Sequence, residues 1–414
     1  MDRRVVVTGL GAVSSIGIGK EEFWRNLLAG KSGITPICSF DTSEYRVKIG
    51  GEIPGFSITE FLPEERSEKY GRASGLGISA SLLALEDAHL RLAQIQQHPV
   101  EASSGASAGV FVGSTMGECQ EQAIFMRGWV SGSYQDIQTS TILKLPDSFL
   151  ACNIMDALKI GSLGSTFPNA CAAANYAIAY GYELIRSGQV PVVLAGGCDA
   201  FSEVAFAGFG RMLSLATDKC QPFDKNRSGI VVGEGAGMLV LESLGHAEKR
   251  GARIYAELLG YGMSCDAYHM TIPHVDGVTA VMENALHNTG LSPEEISFIS
   301  AHGTGTVMND KTESEAIRNV FGERAQQIPA NAVKSMLGHT MGAASALSAI
   351  GCVLSIYDSK IPPTINYETP DEQCPVDCVP NKMREQPVEV AMNNAFAFGG
   401  NNCTTVFAKL RAKR

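Results

Sequence analysis

The sequence predicts an α/β protein with buried sheets, built from two related halves. Three observations lead there. Apolar strand-like runs alternate with helical patterns along almost the whole chain, the arrangement that yields layered α/β folds. Several of the helical patterns end on Gly, as helix C-termini prefer. Two stretches, NACAAANYAIAYGYELIRSG and GHTMGAASALSAIGCVLSIYDS, share a layout in which a reactive-type side chain stands just before a small-residue helix of about four or five turns.

In chain order, RRVVVTG (3–9) reads as a strand followed by a Gly turn, and EEFWRNLLAG (21–30) and SASLLALEDAHLRLAQ (79–94) as helices. QQHPVEASSGASA (96–108) is the most loop-like segment. GVFVGS (109–114), PVVLAGG (191–197) and GMLVLE (237–242) read as strands around the helix AAANYAIAYGYELIRSG (172–188). A seam between the halves falls near 242–257. Beyond it come the helix GVTAVMENALHNTG (277–290), the strand ISFISAHG (296–303), the helix DKTESEAIRNVFG (310–322), the strand NAVKS (331–335) and the helix GAASALSAIGCVLSIYDS (342–359). The two small-residue helices carry few polar groups and are expected to be buried all round.

Bulk composition excludes several classes. With 45% hydrophobic and 18% charged residues in 414, the chain has the composition of a globular protein with a large core. Its 33 Lys and Arg against 43 Asp and Glu give a net charge of -10, which argues against a nucleic-acid partner. Eleven cysteines, an odd number scattered through apolar segments, fit reduced thiols and a cytoplasmic setting. The one close pair, Cys374 and Cys378, lacks zinc-site spacing and a nearby His, so no metal is expected. The N-terminal apolar stretch is β-branched and broken by Thr, Gly and Ser, unlike a signal peptide. No uninterrupted apolar run reaches the roughly 18 residues of a membrane span.

Cys171 precedes a helix, where unpaired N–H groups and the dipole favour thiolate and make sulfur a nucleophile. The other reading, an inert packed cysteine, stays open for Cys171 at this level and is preferred for the other ten. His302 ends a strand and opens the loop HGTGT, where α/β sheets place ligand sites, and Thr304 and Thr306 offer hydroxyls to an extended polar substrate arm. His339 stands at the start of the second small-residue helix, whose dipole keeps imidazole neutral and so a hydrogen-bond donor to a developing oxyanion. Lys334, at a strand end, either orders that site or is a solvated lysine. In NNAFAFGGNN, Gly399 and Gly400 permit a turn presenting a backbone N–H to a substrate oxygen, with Phe398 as an apolar lid.

Other motifs fail on context. GASAG (105–109) precedes a strand where a hydrolase elbow needs one before it. GLGAVS (9–14) has Ser14 where a dinucleotide fingerprint needs its third Gly, and there is no P-loop.

Taken in order, Cys171, AHGTGT, VKSMLGHTMGA and FAFGGNN resemble the elongating, type II β-ketoacyl-acyl carrier protein synthases. The likeness extends through VVVTGLGAVSSIG, PFDKNRSGIVVGEGAGMLVLE, RGARIYAELLGYGMSCDAYHMT and IPPTINYETPDEQC. It implies a thiolase fold of two duplicated, layered α/β halves, 1–250 carrying the nucleophile and 251–414 carrying both histidines. It also implies an acyltransferase performing a decarboxylative Claisen condensation in fatty acid or polyketide and polyene synthesis. Cys171 would accept the acyl chain, His302 and His339 would stabilise the malonyl-derived enolate, and Lys334 would orient them. The N–H groups of Cys171 and Phe398 would form an oxyanion hole gated with Gly399 and Gly400. Thr304 and Thr306 would hold the phosphopantetheine of an acyl carrier protein, and the enzyme would need no cofactor of its own. Met116 and Phe209 are implied in the acyl tunnel, and Lys69, Arg72 and Arg211 in carrier docking. The implied assembly is a homodimer, or a heterodimer with a chain-length-factor-like subunit. Alternatives are a subunit active only with such a partner, and a malonyl-carrier decarboxylase.

One departure stands out. Where the family usually follows its nucleophile with Thr or Ser, Ser and Gly, this chain has Ala172, Ala173 and Ala174. Alanine strengthens the helix relative to glycine, while the lost hydroxyls and the added methyl bear on substrate range.

Overall fold

The computed structural model describes residues 3–91, 107–133, 135, 137–160 and 163–411. The expected loop 96–108 lies outside the described residues up to 106, as do the last three residues of the expected helix 79–94.

The first half contributes β1 (Val5–Ser14), β2 (Gly109–Gly113), β3 (Leu163–Phe167), β4 (Val192–Asp199) and β5 (Gly235–Ser243). The second contributes β6 (Ala256–Cys265), β7 (Phe298–Ser300), β8 (Ala330–Asn331), β9 (Val390–Ala395) and β10 (Asn401–Ala408). In space they run β3-β2-β4-β5-β1 and then β6-β10-β9-β7-β8. Counted from the outer edge, each half therefore has its strands in the order third, second, fourth, fifth, first. The senses repeat as well: the second strand is parallel to the third and fourth, and the fifth is antiparallel to the fourth and first. The halves join where β1 and β6 meet antiparallel, Val5 to Val7 against Ala256 to Leu258. These are two parts of one continuous sheet with the same order and senses, and the connection between them includes helix Leu244–Lys249.

The helices repeat in step. α1 (Arg72–Asp87), α2 (Phe149–Leu158) and α3 (Ala173–Arg186) occupy the same connections in the first half as α4 (Val275–Thr289), α5 (Val307–Phe321) and α6 (Ala344–Asp358) in the second. α3 and α6 touch each other in the middle of the molecule and pack on strands of both halves. Strand alternation explains how. On β4, Val193 and Ala195 face this central layer, while Val192 and Leu194 face α1 and α2. On the other outer face Ile299, Met392 and Val406 pack against α4 and α5. Sheets covered on both faces need continuous apolar strands, which is why these runs were legible.

Two expectations need correction. The Gly turn expected after RRVVVTG is absent, because β1 continues through Gly9 and Gly11 to Ser14. These glycines admit the backbone of α1: a Cβ on Gly11 would lie 1.9 Å from the Ala80 carbonyl oxygen, and one on Gly9 2.2 Å from that of Ala84. Nor does Lys334 end a strand, since β8 stops at Asn331 and Lys334 opens the one-turn helix Lys334–Leu337. The segment Met341–Asp358 is long and apolar enough to cross a membrane, but 89% of it is buried between the two halves, so it is a core helix.

The close approach continues at the centre. A Cβ on Gly113, at the end of β2, would lie 2.2 Å from backbone atoms of Ala173 and Ala174. Because backbone cannot rotate away, Gly113→Ala is expected to destabilise the protein by about 3 kcal/mol. Urea unfolding checks this, and an unchanged midpoint would show that the junction yields.

Candidate active site

The two small-residue helices begin alike. Before α3 the chain makes a short turn of 3-10 helix, Ala170–Ala172; before α6 it makes another, Met341–Ala343. Each turn starts on a left-handed non-glycine residue, Ala170 at φ 47° and Met341 at φ 51°. Such a residue costs roughly 1–2 kcal/mol, and here the surrounding packing holds it. Cys171 on the first turn and Gly342 on the second are thus equivalent positions, and the duplication brings both to one place.

Cys171, His302 and His339 line a single cavity of about 340 Å³. All three are buried. His302 follows β7, with its backbone N–H and that of Gly303 each donating to the Glu313 carboxylate at 2.8 Å. Lys334 donates from Nζ to the His302 carbonyl at 2.5 Å and lies 3.4 Å from His302 Nδ1. His339 Nδ1 accepts from the Met341 N–H at 3.1 Å. With Nδ1 as acceptor, a neutral His339 carries its proton on Nε2, and an ammonium on Lys334 imposes the same tautomer on His302. The rings stand 5.7 Å apart, nearly perpendicular at 82°. Burial, then the Lys334 charge, pushes both imidazoles well below the usual histidine range, so both are neutral donors at pH 7.

The thiol differs from the expectation drawn from its helix terminus. Burial pushes Cys171 up to about 11; Lys334 and the backbone N–H groups of Cys171 and Phe398 oppose this, while Asp199 adds to it. Desolvation outweighs the helix N-terminus, and the resting group is a thiol. The same two N–H groups face the sulfur, where a tetrahedral oxyanion on a bound acyl group would need donors.

Phe398 is 37% exposed and packs on Phe209 with ring centroids 5.9 Å apart. Both rings line the cavity. The turn behind Phe398 needs its glycines: Gly399 and Gly400 have φ 79° and 74°, and a Cβ on Gly400 would lie 2.5 Å from Asp266 Cβ. Gly399 N–H donates to the Met270 carbonyl at 2.8 Å, tying the turn to the loop that carries His269 at the mouth. Thr304 and Thr306 also line the cavity, with their hydroxyls 2.9 Å apart. Thr306 accepts from Asn309 N–H as well, capping α5.

The remaining expected residues divide. Met116 packs with Phe201, Phe206 and Met341 in an apolar cluster behind the cavity that Phe209 also joins. Arg72 is not an open docking cation. It makes a two-pronged ion pair with buried Glu234 at 2.8 and 2.7 Å and donates to the Ile53 carbonyl, because a carboxylate this deeply buried needs a cation. Lys69 is paired with Asp156. Arg211 is exposed beside Met212 and Leu213, which line the cavity mouth, and has no ion pair among the described residues. Sequence reading did not single out Glu313, His269 or Asp199. No motif marks them, and only the fold brings their side chains or loops to the site.

A cysteine sulfur beside two donor N–H groups shares its cavity with two neutral imidazoles, an arrangement that can accept an acyl group and stabilise an enolate beside it. Fold and site together define a condensing acyltransferase of the thiolase fold. The chain belongs to the β-ketoacyl synthase family, matching the β-ketoacyl synthase N-terminal domain over residues 2–247 and the C-terminal domain over 255–368. It is 37% identical to 3-oxoacyl-[acyl-carrier-protein] synthase 2 of Synechocystis sp., covering 98% of both chains. With the synthase 2 of Staphylococcus aureus (strain COL) it shares 35% identity over 99% of each. Among solved structures, the ishigamide ketosynthase/chain length factor is 43% identical with a TM-score of 0.93, over 99% of this chain and 100% of that one. A type II polyketide ketosynthase, bound to a hexaketide and in complex with its acyl-carrier protein, is 31% identical with a TM-score of 0.88, again over 99% and 100%.

Proposed function

We propose that this enzyme extends acyl chains delivered as phosphopantetheine thioesters of an acyl carrier protein, adding two carbons from a malonyl thioester with loss of carbon dioxide. In the first half-reaction Cys171 sulfur bonds to the acyl carbonyl carbon, the carrier's C–S bond breaks, and the thiol proton leaves with the carrier thiol. In the second, the malonyl C–C bond to carboxylate breaks and the enolate oxygen accepts from Nε2–H of His302 and His339. The enolate carbon then attacks the acyl-cysteine, and the oxyanion accepts from the N–H groups of Cys171 and Phe398. Its collapse releases the Cys171 sulfur as thiolate, which takes a proton from solvent water to restore the thiol. Lys334 holds His302 in the donor tautomer, and Thr304 and Thr306 flank the route of the arm.

The observation that carries this reading is the meeting of Cys171 with two tautomer-locked histidines in one cavity. An acceptor thiol among donor N–H groups argues against a decarboxylase alone. Arg211 at the mouth suits an acidic carrier. The second subunit is another copy or a chain-length-factor-like chain, a reading supported by the 43% identity to the ishigamide ketosynthase/chain length factor. Cys171 belongs to a nucleophile half, 1–250, and the histidines to a half spanning 251–414. All eleven cysteines are unpaired, which supports a reducing, cytoplasmic setting.

The test is intact-protein mass after incubation with a panel of acyl carriers, followed by peptide mapping and a carbon dioxide assay with malonyl carrier. A gain of one acyl group mapped to Cys171 is expected. No gain from any carrier, by folded protein alone or supplied with a chain-length-factor-like partner, would refute the reading.

A further inference from the structure

Asp199 ends β4 and is completely buried. Among the described residues its carboxylate has no cationic partner within ion-pair distance. Instead four donors converge on it: Ser114 hydroxyl at 2.6 Å and Met116 N–H at 3.0 Å on Oδ1, Thr115 N–H at 2.7 Å and Gly342 N–H at 2.6 Å on Oδ2. Three come from the turn 114–117, which Ser114 Oγ also closes by accepting from Gly117 N–H at 2.9 Å. The fourth comes from the entry turn of α6, three residues after His339. The two backbones are pressed together, since a Cβ on Gly342 would lie 2.6 Å from Ser114 Cα and 2.7 Å from Thr115 nitrogen.

We propose that Asp199 is a positioning residue for the condensation, fastening the turn that carries Met116 to the entry turn whose Met341 N–H holds the His339 ring. One carboxylate thereby sets two parts of the site together. Met116 and Met341 face the apolar cluster shared with Phe206 and Phe209, so the anchor fixes the shape of that wall. His339 takes its tautomer from the N–H of Met341, so the anchor also fixes the donor. The inference rests on the condensing reading of the cavity. The charge is itself part of the device. Burial raises the Asp199 carboxyl to about 6, leaving it ionised at pH 7, and the thiols within its field are Cys119, Cys171 and Cys198, with Lys334 acting on Cys171 in the opposite sense. An anion here disfavours the Cys171 thiolate.

Asp199→Asn keeps the shape but places an N–H among donors and removes the charge. Malonyl decarboxylation is expected to lose kcat by about 10²-fold, the effect of displacing a catalytic group by about 1 Å, with KM little changed. The pH curve for iodoacetamide labelling of Cys171 is expected to shift to lower pH. Labelling needs no turnover, so it reports on Asp199 even if the wild-type enzyme proves not to condense, an outcome that would count against the function and not against the anchor. Wild-type kcat together with an unshifted curve overturns the proposal, as does a fall in kcat with no shift, which marks a merely structural residue. Should Asp199→Asn not fold, Ser114→Ala removes one limb and is expected to change the ratio of long to short acyl chains loaded on Cys171. A wild-type ratio there overturns the proposal equally.

Discussion

Cys171→Ala is expected to abolish acyl loading and to lower condensation by at least about 10³-fold, while malonyl decarboxylation persists. The reasoning is geometric. Sulfur supplies the only bond to the growing chain, but the contacts that set the enolate-stabilising groups do not involve it: Lys334 to His302, Glu313 to the His302 and Gly303 N–H groups, and Met341 N–H to His339. Alanine also continues the run Ala172, Ala173, Ala174 without disturbing the entry turn. Intact mass and carbon dioxide release, measured on the same sample, separate the two activities. An acyl adduct surviving in the variant would move the acceptor elsewhere. One rival, Cys220, is buried beside the Thr304 carbonyl with its thiol pushed up to about 12.

The parts of this molecule that were readable in the sequence are those whose physics is local. Strands covered on both faces appear as unbroken apolar runs, and Gly endings mark the helices. Cys171, His302 and His339 each stand next to such a run, which is why all three stood out as site candidates, and the fold brings them to one cavity. What was missed depends on partners distant in the chain. β10 reads Asn-Asn-Cys-Thr-Thr, too polar for a core strand by composition. Yet Asn402, Thr404 and Thr405 are buried because hydrogen bonds satisfy them: Asn402 on Asp266, Thr404 on Asn394, Thr405 near Asn175 and Asn393. The same network, in which Asn175 amide N–H donates to the Asn393 and Cys403 carbonyls, ties α3 to the second half. Arg72 illustrates the opposite failure. A basic residue in a polar stretch reads as solvated charge, and nothing local reveals Glu234, 162 residues away, as its partner. The Cys171 thiol combines both: its helix-terminal position was legible, whereas the burial that overrides the dipole was not.

His302→Ala and His339→Ala are each expected to lower malonyl decarboxylation by about 10²–10³-fold, the usual loss when one oxyanion donor is removed. Acyl transfer to Cys171 should suffer less, since its oxyanion faces backbone N–H groups. The histidines also predict an unusual pH response. Both are held well below the ordinary value near 6.5, so neither imidazole should contribute an acid limb to decarboxylation as pH drops through that value; a limb there would belong to the buried carboxyls of Asp199, raised to about 6, and Glu313, raised to about 7. In the unfolded chain these histidines bind protons below about pH 6.5 and in the folded one they do not, which weakens the fold as pH falls. The buried carboxyls of Asp199 and Glu313, raised to about 6 and about 7, act in the opposite sense until they are protonated in the unfolded chain too, so the loss of stability from the histidines should emerge below about pH 4. Urea unfolding at stepped pH, set beside the decarboxylation rate of protein still folded, distinguishes the two effects. An acid limb near pH 6.5 that persists in both Asp199→Asn and Glu313→Gln would mean that an imidazole titrates in the native site, and that the donors are not neutral by burial. Between the two variants, His302→Ala should be the less stable. It leaves Lys334 with one partner, the residue 302 carbonyl, for a buried ammonium, whereas His339→Ala leaves open only the first N–H of a helix entry.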